Sequence, residues 1–203
     1  MIGLPKSTEF SKQLPKKAIY EKFNMNTAAK EKFDADISRI NIVAEISPHT
    51  VSVVKGEAVA VIFVLQVILK HKDFAPNTIS QISKLIDQNM ILILECEGEA
   101  KLAVYHSKLM QTQWQKKEEL SVELSGLTMD AVWENIIMQI GGITVEQGNT
   151  LDEQIAVDEQ KAKIQKEIDR LTKLAKKEKQ PKKKFELVQQ INKLKYSIEG
   201  NKI

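Results

Sequence analysis

The spacing of apolar positions changes repeatedly along the chain, and each change predicts an element. Residues 1–14 show no sustained period and predict an extended arm. Pro15 suits the first position of a short helix running to about Phe23. Thr27 is placed to cap a second helix, 28–37, with Ala29, Phe33 and Ile37 on one face. Residues 39–46 alternate Ile40, Ile42, Ala44 and Ile46, the period of a strand with one buried face. Ser47-Pro48 breaks it, residues 50–54 predict a short strand, and Lys55-Gly56-Glu57 predicts a turn.

The run AVAVIFVLQVIL, 58–69, is almost continuously apolar and β-branched, as expected of a central strand covered on both faces. Asn77 is placed to cap a helix to about Gln88, with Ile79, Ile82 and Ile86 inward. A buried strand follows at 90–96, then a tight turn at Glu97-Gly98-Glu99 into a strand at 101–107. Weaker strand patterns lie at 111–115 and 120–124. Thr128 is placed to cap an amphipathic helix carrying Val132, Ile136, Ile137 and Ile140, ended by Gly141-Gly142.

Residues 1–145 thus predict an α/β domain, a mixed α+β sheet with an N-terminal arm. Its first part reads α-β-β-β-α-β, the order of restriction-endonuclease-like cores. Over 150–203 the composition shifts to helix formers. Ile164, Ile168, Leu171 and Ala175 recur at spacings of four, three and four, as do Leu187, Ile191, Leu194 and Ile198. Pro181 cannot sit within one continuous helix without disrupting it. The expectation is an antiparallel helical hairpin with a coiled-coil seam.

Charge sharpens this division. The net charge is +3 over 203 residues, yet residues 151–203 hold fourteen basic and nine acidic side chains, against sixteen and eighteen in the rest. Seven lysines (Lys173, Lys176, Lys177, Lys179, Lys182, Lys183 and Lys184) fall within twelve positions at the hairpin turn, opposed by Glu178 alone. With Arg170 and Phe185 as the only nearby arginine and aromatic, such a tip offers sequence-independent phosphate contact rather than base readout. A solvated turn, or docking on an acidic protein face, suits the same charge. The single cysteine, Cys96, lies in an apolar run and fits a buried side chain in a reducing compartment. No secretory leader and no membrane span is expected, so the expected location is the cytoplasm.

Chemistry is sparse. A nuclease core wants an Asp/Glu-x-Lys triplet on its third strand, with carboxylates holding magnesium. Here Lys70 is preceded two positions earlier by Ile68, leaving Gln66, Lys70 and His71 as a degenerate active site. Glu45 and Glu57 are acids without an evident partner. His49, His71 and His106 show no ligand spacing, and no P-loop, GxGxxG or GxSxG motif occurs. No metal and no cofactor are expected. Trp114 and Trp133 read as core anchors.

Three stretches, GLPKSTEFSKQLPKKAIYEKF, MILILECEGEAKLAVYHSK and DAVWENIIMQIGG, together with the hairpin KEKQPKKKFELVQQINKLK, resemble the prokaryotic domain of unknown function 4391 family. The resemblance covers nearly the whole chain. It implies no agreed activity. It does imply a setting beside DNA methyltransferases and helicases of restriction-like or phage-defence loci. In that family the central strand more often ends in Glu-x-Lys, where this chain has Ile68. The resemblance also draws attention to the polar arm Pro5–Glu9, which either ties down the terminus or serves a partner subunit.

The expected function is therefore a non-catalytic accessory subunit of a DNA-handling defence system. Its partners would be nucleic acid and a helicase or DNA methyltransferase. The rivals are a metal-dependent nuclease with a displaced acid, and a structural module in which the hairpin pairs with a second copy as a homo-oligomer.

Overall fold

A computed structural model describes residues 2–199, which fall into two compact units, one ending at Ile143 and the other beginning at Thr144. The first is a mixed α/β unit built on a seven-stranded sheet. In chain order it contains β1 (Glu9–Gln13), α1 (Lys16–Lys22), α2 (Thr27–Asp36), β2 (Ile37–Ile46), β3 (Ile62–Leu69), α3 (Pro76–Ile82) and β4 (Asn89–Cys96). β5 (Glu99–His106), β6 (Lys108–Gln111), β7 (Gln115–Lys116) and α4 (Met129–Gly141) complete it. The strand order is β1-β2-β3-β4-β5-β6, with β7 also on β5. β3 and β4 are parallel, joined by a crossover that contains α3, and the other pairings are antiparallel.

Both faces of the centre are covered, which is why β3 and β4 are apolar at nearly every position. On the front face Ile40, Ile42, Leu65, Val67, Leu92 and Leu94 meet Ile19, Met25, Phe33, Ile79 and Ile82 from α1 to α3. On the reverse face, Val104 and its cross-strand partner Met110 lie toward α4, where Gly141 approaches Met110 closely enough that a Cβ would stand 2.8 Å from its sulfur. α4 contributes Val132, Ile136, Ile137 and Ile140, all buried. Thr128 Oγ1 accepts from Ala131 N–H and Gly142 closes the helix at φ 62°, as the sequence predicts.

Several elements differ from expectation, each for a local reason. The arm is not merely extended: β1 pairs antiparallel with β2 and forms a sheet edge, broken by a register shift between Glu9 and Lys12. α2 is capped by Asn26, whose side chain accepts from Ala29 N–H, rather than by Thr27. α3 starts with Pro76 in its first turn and stops at Ile82. There i→i+3 bonds from Lys84 N to Gln81 O and Leu85 N to Ile82 O tighten the chain, and Leu85 and Ile86 reach the front core.

Residues 50–54 form no strand. Thr50 Oγ1 donates to Glu45 O and accepts from Ser47 N–H, closing a turn, and Val54 makes only a single bridge to Thr128. The α-β-β-β-α-β order read from the sequence therefore lacks its second strand, and the central strand begins at Ile62 rather than Ala58. Residues 120–124 are not a strand either. The Gln139 amide satisfies both the N–H and the C=O of Glu123, at 3.0 and 2.8 Å, in place of a neighbouring strand.

The second unit holds α5 (Leu151–Lys177) and α6 (Pro181–Glu199). Thr150 and Glu153 form a reciprocal capping box at the start of α5. The two helices pack through buried Ile168, Leu171, Ala175 and Ile191, flanked by Ile164, Leu187, Leu194 and Ile198. The residues spaced four and three apart in the sequence are those that meet.

Candidate functional site

The turn between α5 and α6 gathers the lysines by a simple route. α5 ends at Lys177, and Pro181 can open α6 because the first turn of a helix needs no N–H from it. Lys173, Lys176 and Lys177 lie near the end of α5, Lys179 lies in the link, and Lys182, Lys183 and Lys184 occupy the first turn of α6. All seven are exposed. Among the described residues none of them makes an ion pair. Glu178, the one acid in the link between the two helices, accepts from the backbone N–H of Gln180.

The two helix ends treat these charges differently. Lys176 and Lys177 lie at the carbonyl end of α5, where cations are favoured. Lys182–Lys184 lie at the N–H end of α6, whose first turn has no acid. A positive helix end carrying three cations favours an incoming anion. Beside them a groove of about 470 Å³ is lined by Leu174, Lys177, Glu178, Lys183, Glu186 and Leu187. Phe185, the aromatic that the sequence places at the tip, is 63% exposed.

The trio Gln66, Lys70 and His71 does not converge. Gln66 faces the reverse side, where its Nε2 donates to Glu95 Oε2 at 2.7 Å and its Oε1 accepts from Asn41 Nδ2 at 3.3 Å. Glu95 in turn pairs with Lys117 at 2.8 Å. Lys70 and His71 lie past the end of β3. The Lys70 N–H donates to Asp36 O, and His71 Nε2 stands 3.4 Å from Asp36 Oδ1. Asp36 is buried and also accepts from Thr78 Oγ1 at 2.9 Å and, more loosely, from Ala75 N–H at 3.3 Å. Nearby, Asp34 accepts from Lys16 Nζ and Tyr20 OH, both at 2.6 Å. These bonds hold the Asp34 carboxyl below its ordinary range. Burial first, then Asp34, push the Tyr20 phenol up to about 12.

Glu95, Asp36 and Asp34 were not singled out from the sequence. Glu95 had a signal, as the one charged residue in MILILEC, but its partners, Gln66 and Lys117, come from β3 and the turn after β7. Glu45 and Glu57 do not join either cluster. Among the described residues no group of three or more His, Cys, Asp or Glu side chains is placed to hold a metal. Cys96 is buried, and that burial raises its thiol pKa, so it has the character of a packed side chain rather than a nucleophile. No helix among the described residues is long and apolar enough to cross a membrane.

A family model described as "Domain of unknown function (DUF4391)" matches residues 2–198. No curated protein and no solved structure matches the chain.

Proposed function

We propose, starting from the fact that the chain belongs to the domain of unknown function 4391 family, that it is a non-catalytic accessory subunit of a prokaryotic restriction-like or phage-defence DNA-handling system. The lysine tip contacts the nucleic acid backbone without regard to sequence, and the α/β unit docks a partner enzyme such as a helicase or DNA methyltransferase. The α5–α6 seam acts as a short coiled coil that presents the tip. One observation carries this reading: seven exposed, unpaired lysines surround a helix start that has no acid in its first turn. That arrangement is self-repelling in isolation and is relieved by a polyanion.

The test is a salt titration of nucleic-acid binding by the full chain and by a variant with Lys176, Lys177, Lys179, Lys182, Lys183 and Lys184 changed to Gln. Binding that weakens steeply with salt, and is largely lost in the variant, supports a phosphate-contacting tip. Equal binding by both proteins removes the tip from the account.

A second reading draws on Glu95. With Gln66 and Lys117 it places an acid, an amide and an amine near the end of the parallel pair, the region where α/β sites gather. A restriction-endonuclease-like core with a displaced acid is a source for such a group. The antiparallel β2–β3 pair and the parallel crossover to β4 support that kinship, while the strand missing at 50–54 counts against it. Magnesium-dependent cleavage lost on Glu95→Gln is its signature.

A further inference from the structure

Towards the edge of the sheet, the front face of β5, which is flanked by β4 on one side and by β6 and β7 on the other, carries an unusual arrangement of lysines and rings. Side chains alternate along β5, so Lys101 and Tyr105 share the front face with Ala103, which belongs to the front core. Lys101 Nζ stands 4.7 Å from the Phe74 ring centroid and 4.9 Å from that of Trp114. Lys72 Nζ lies 5.6 Å from the same Trp114 ring, and Lys84 Nζ lies 5.0 Å from the Tyr105 ring. Phe74 and Trp114 are half-buried, with one side against the front core. The two ring stations, at Lys101 and Tyr105, are four residues apart on one strand, about 13 Å.

Two of these lysines are in different states. Lys72 is bridged to Glu99. Lys101 has no ion-pair partner among the described residues, although burial lowers its pKa and so disfavours its charged form. A half-buried ammonium held between two rings without a carboxylate is poised to take an anion from outside.

We propose that this edge binds single-stranded nucleic acid, with bases stacking on Trp114, Phe74 and Tyr105 while Lys72, Lys84 and Lys101 move to the phosphates. It rests on the nucleic-acid reading above and adds a second contact, on the other structural unit. The exchange is favourable on both sides. At the exposed Lys72 and Lys84 a base stacked on the ring gains more than the ammonium over it, and each released ammonium gains a phosphate. Duplex is disfavoured because rings reach bases only where these are unstacked. An acidic protein segment would satisfy the lysines but has no use for three rings.

The experiment uses the full chain, a labelled oligothymidylate of about twelve nucleotides, within the usual site size of such surfaces, and two readouts. Anisotropy of the label reports total binding, and tryptophan emission reports this edge, because Trp133 is buried in α4. The proposal expects the emission to change in step with anisotropy, and to do so still in the six-lysine tip variant. Trp114→Phe keeps binding but loses the emission signal, whereas Trp114→Ala weakens binding about tenfold. Lys101→Gln lowers the slope of log affinity against log salt by about 0.7, the loss of one phosphate contact on a single strand.

Strand binding that is untouched by Lys101→Gln and Trp114→Ala, with silent emission, overturns this inference and leaves the tip reading standing. Polyglutamate that changes the emission as strongly as the oligonucleotide overturns it in favour of an acidic protein partner. If no form binds the strand at low salt, both readings fall.

Discussion

The carboxylate of Asp130 stands where a side chain on Gly56 would have to go: a Cβ built on Gly56 would lie 2.4 Å from Asp130 Oδ1. Asp130, in the first turn of α4, accepts from the successive backbone N–H groups of Glu57, Ala58 and Val59, at 2.7, 3.1 and 2.7 Å. One side chain thus anchors the whole irregular segment that leads into the central strand. Gly56→Ala is expected to destabilise the α/β unit by about 1–3 kcal/mol, since Val59 O also blocks the site at 2.8 Å. Thermal unfolding of the variant measures it.

The same contact has a pH signature. The N–H groups of Glu57 and then Val59 hold the Asp130 carboxyl below its ordinary value. A depressed carboxylate contributes stability that is complete above its unfolded pKa and is lost as pH falls through the folded one. Asp130→Asn is therefore expected to narrow the stability difference between neutral and acidic solution. Denaturant midpoints at the two pH values report it.

Tyr20 runs the opposite way. Its phenol is pushed from 10.0 up to about 12, so the neutral form is favoured in the folded chain. Its contribution is complete below the unfolded pKa and disappears as pH rises through the folded one. Ultraviolet titration should show one late tyrosine ionisation, and Tyr20→Phe should remove that late step.

Asp36 joins α2, the end of β3 and α3 through Thr78 and His71. Asp36→Ala leaves the Thr78 hydroxyl and the Ala75 N–H short of a partner and is expected to cost about 1–3 kcal/mol. Asp36→Asn, which can still accept from Thr78, should recover part of that loss in a urea titration.

The hairpin makes a separable prediction. Ile168→Asp puts a charge into the seam between α5 and α6, and helices of this kind are marginal without packing. Helical circular dichroism should fall while the α/β unit keeps its own unfolding transition. Changing the six tip lysines to Gln should act in reverse, raising the hairpin's melting temperature at low salt, with the gain shrinking as salt screens the repulsion.

Much of this architecture was legible because its periods are local. α4 declares itself by Thr128, a four-residue apolar face and Gly142, and the hairpin seam by its spacings of four and three. β1 left no pattern because all five of its residues are exposed on an edge strand, where pairing needs backbone groups and no apolar alternation. Residues 120–124 look like a strand because Leu120 and Val122 are buried, yet the partner of Glu123 is a side chain. The lysine tip could be read from composition alone. The contact of Gln66 with Glu95 could not, because it depends on the register between β3 and β4 across 29 residues of sequence. The ring–lysine edge was hidden for a similar reason, since Phe74, Lys101 and Trp114 are brought together by the fold and by no short motif.

The strand order has a kinetic meaning. Every strand from β1 to β6 lies beside its neighbours in sequence, and the β4–β5 and β5–β6 pairings close very short loops and are entropically cheap. Two of the three longer closures carry helices, α1 and α2 between β1 and β2 and α3 in the crossover between β3 and β4, while residues 47–61 between β2 and β3 are irregular. That crossover sets the two most buried strands side by side. Once β3 and β4 have met, the sheet can extend outward on both flanks by local additions, and the last strands to join are those with the least to bury.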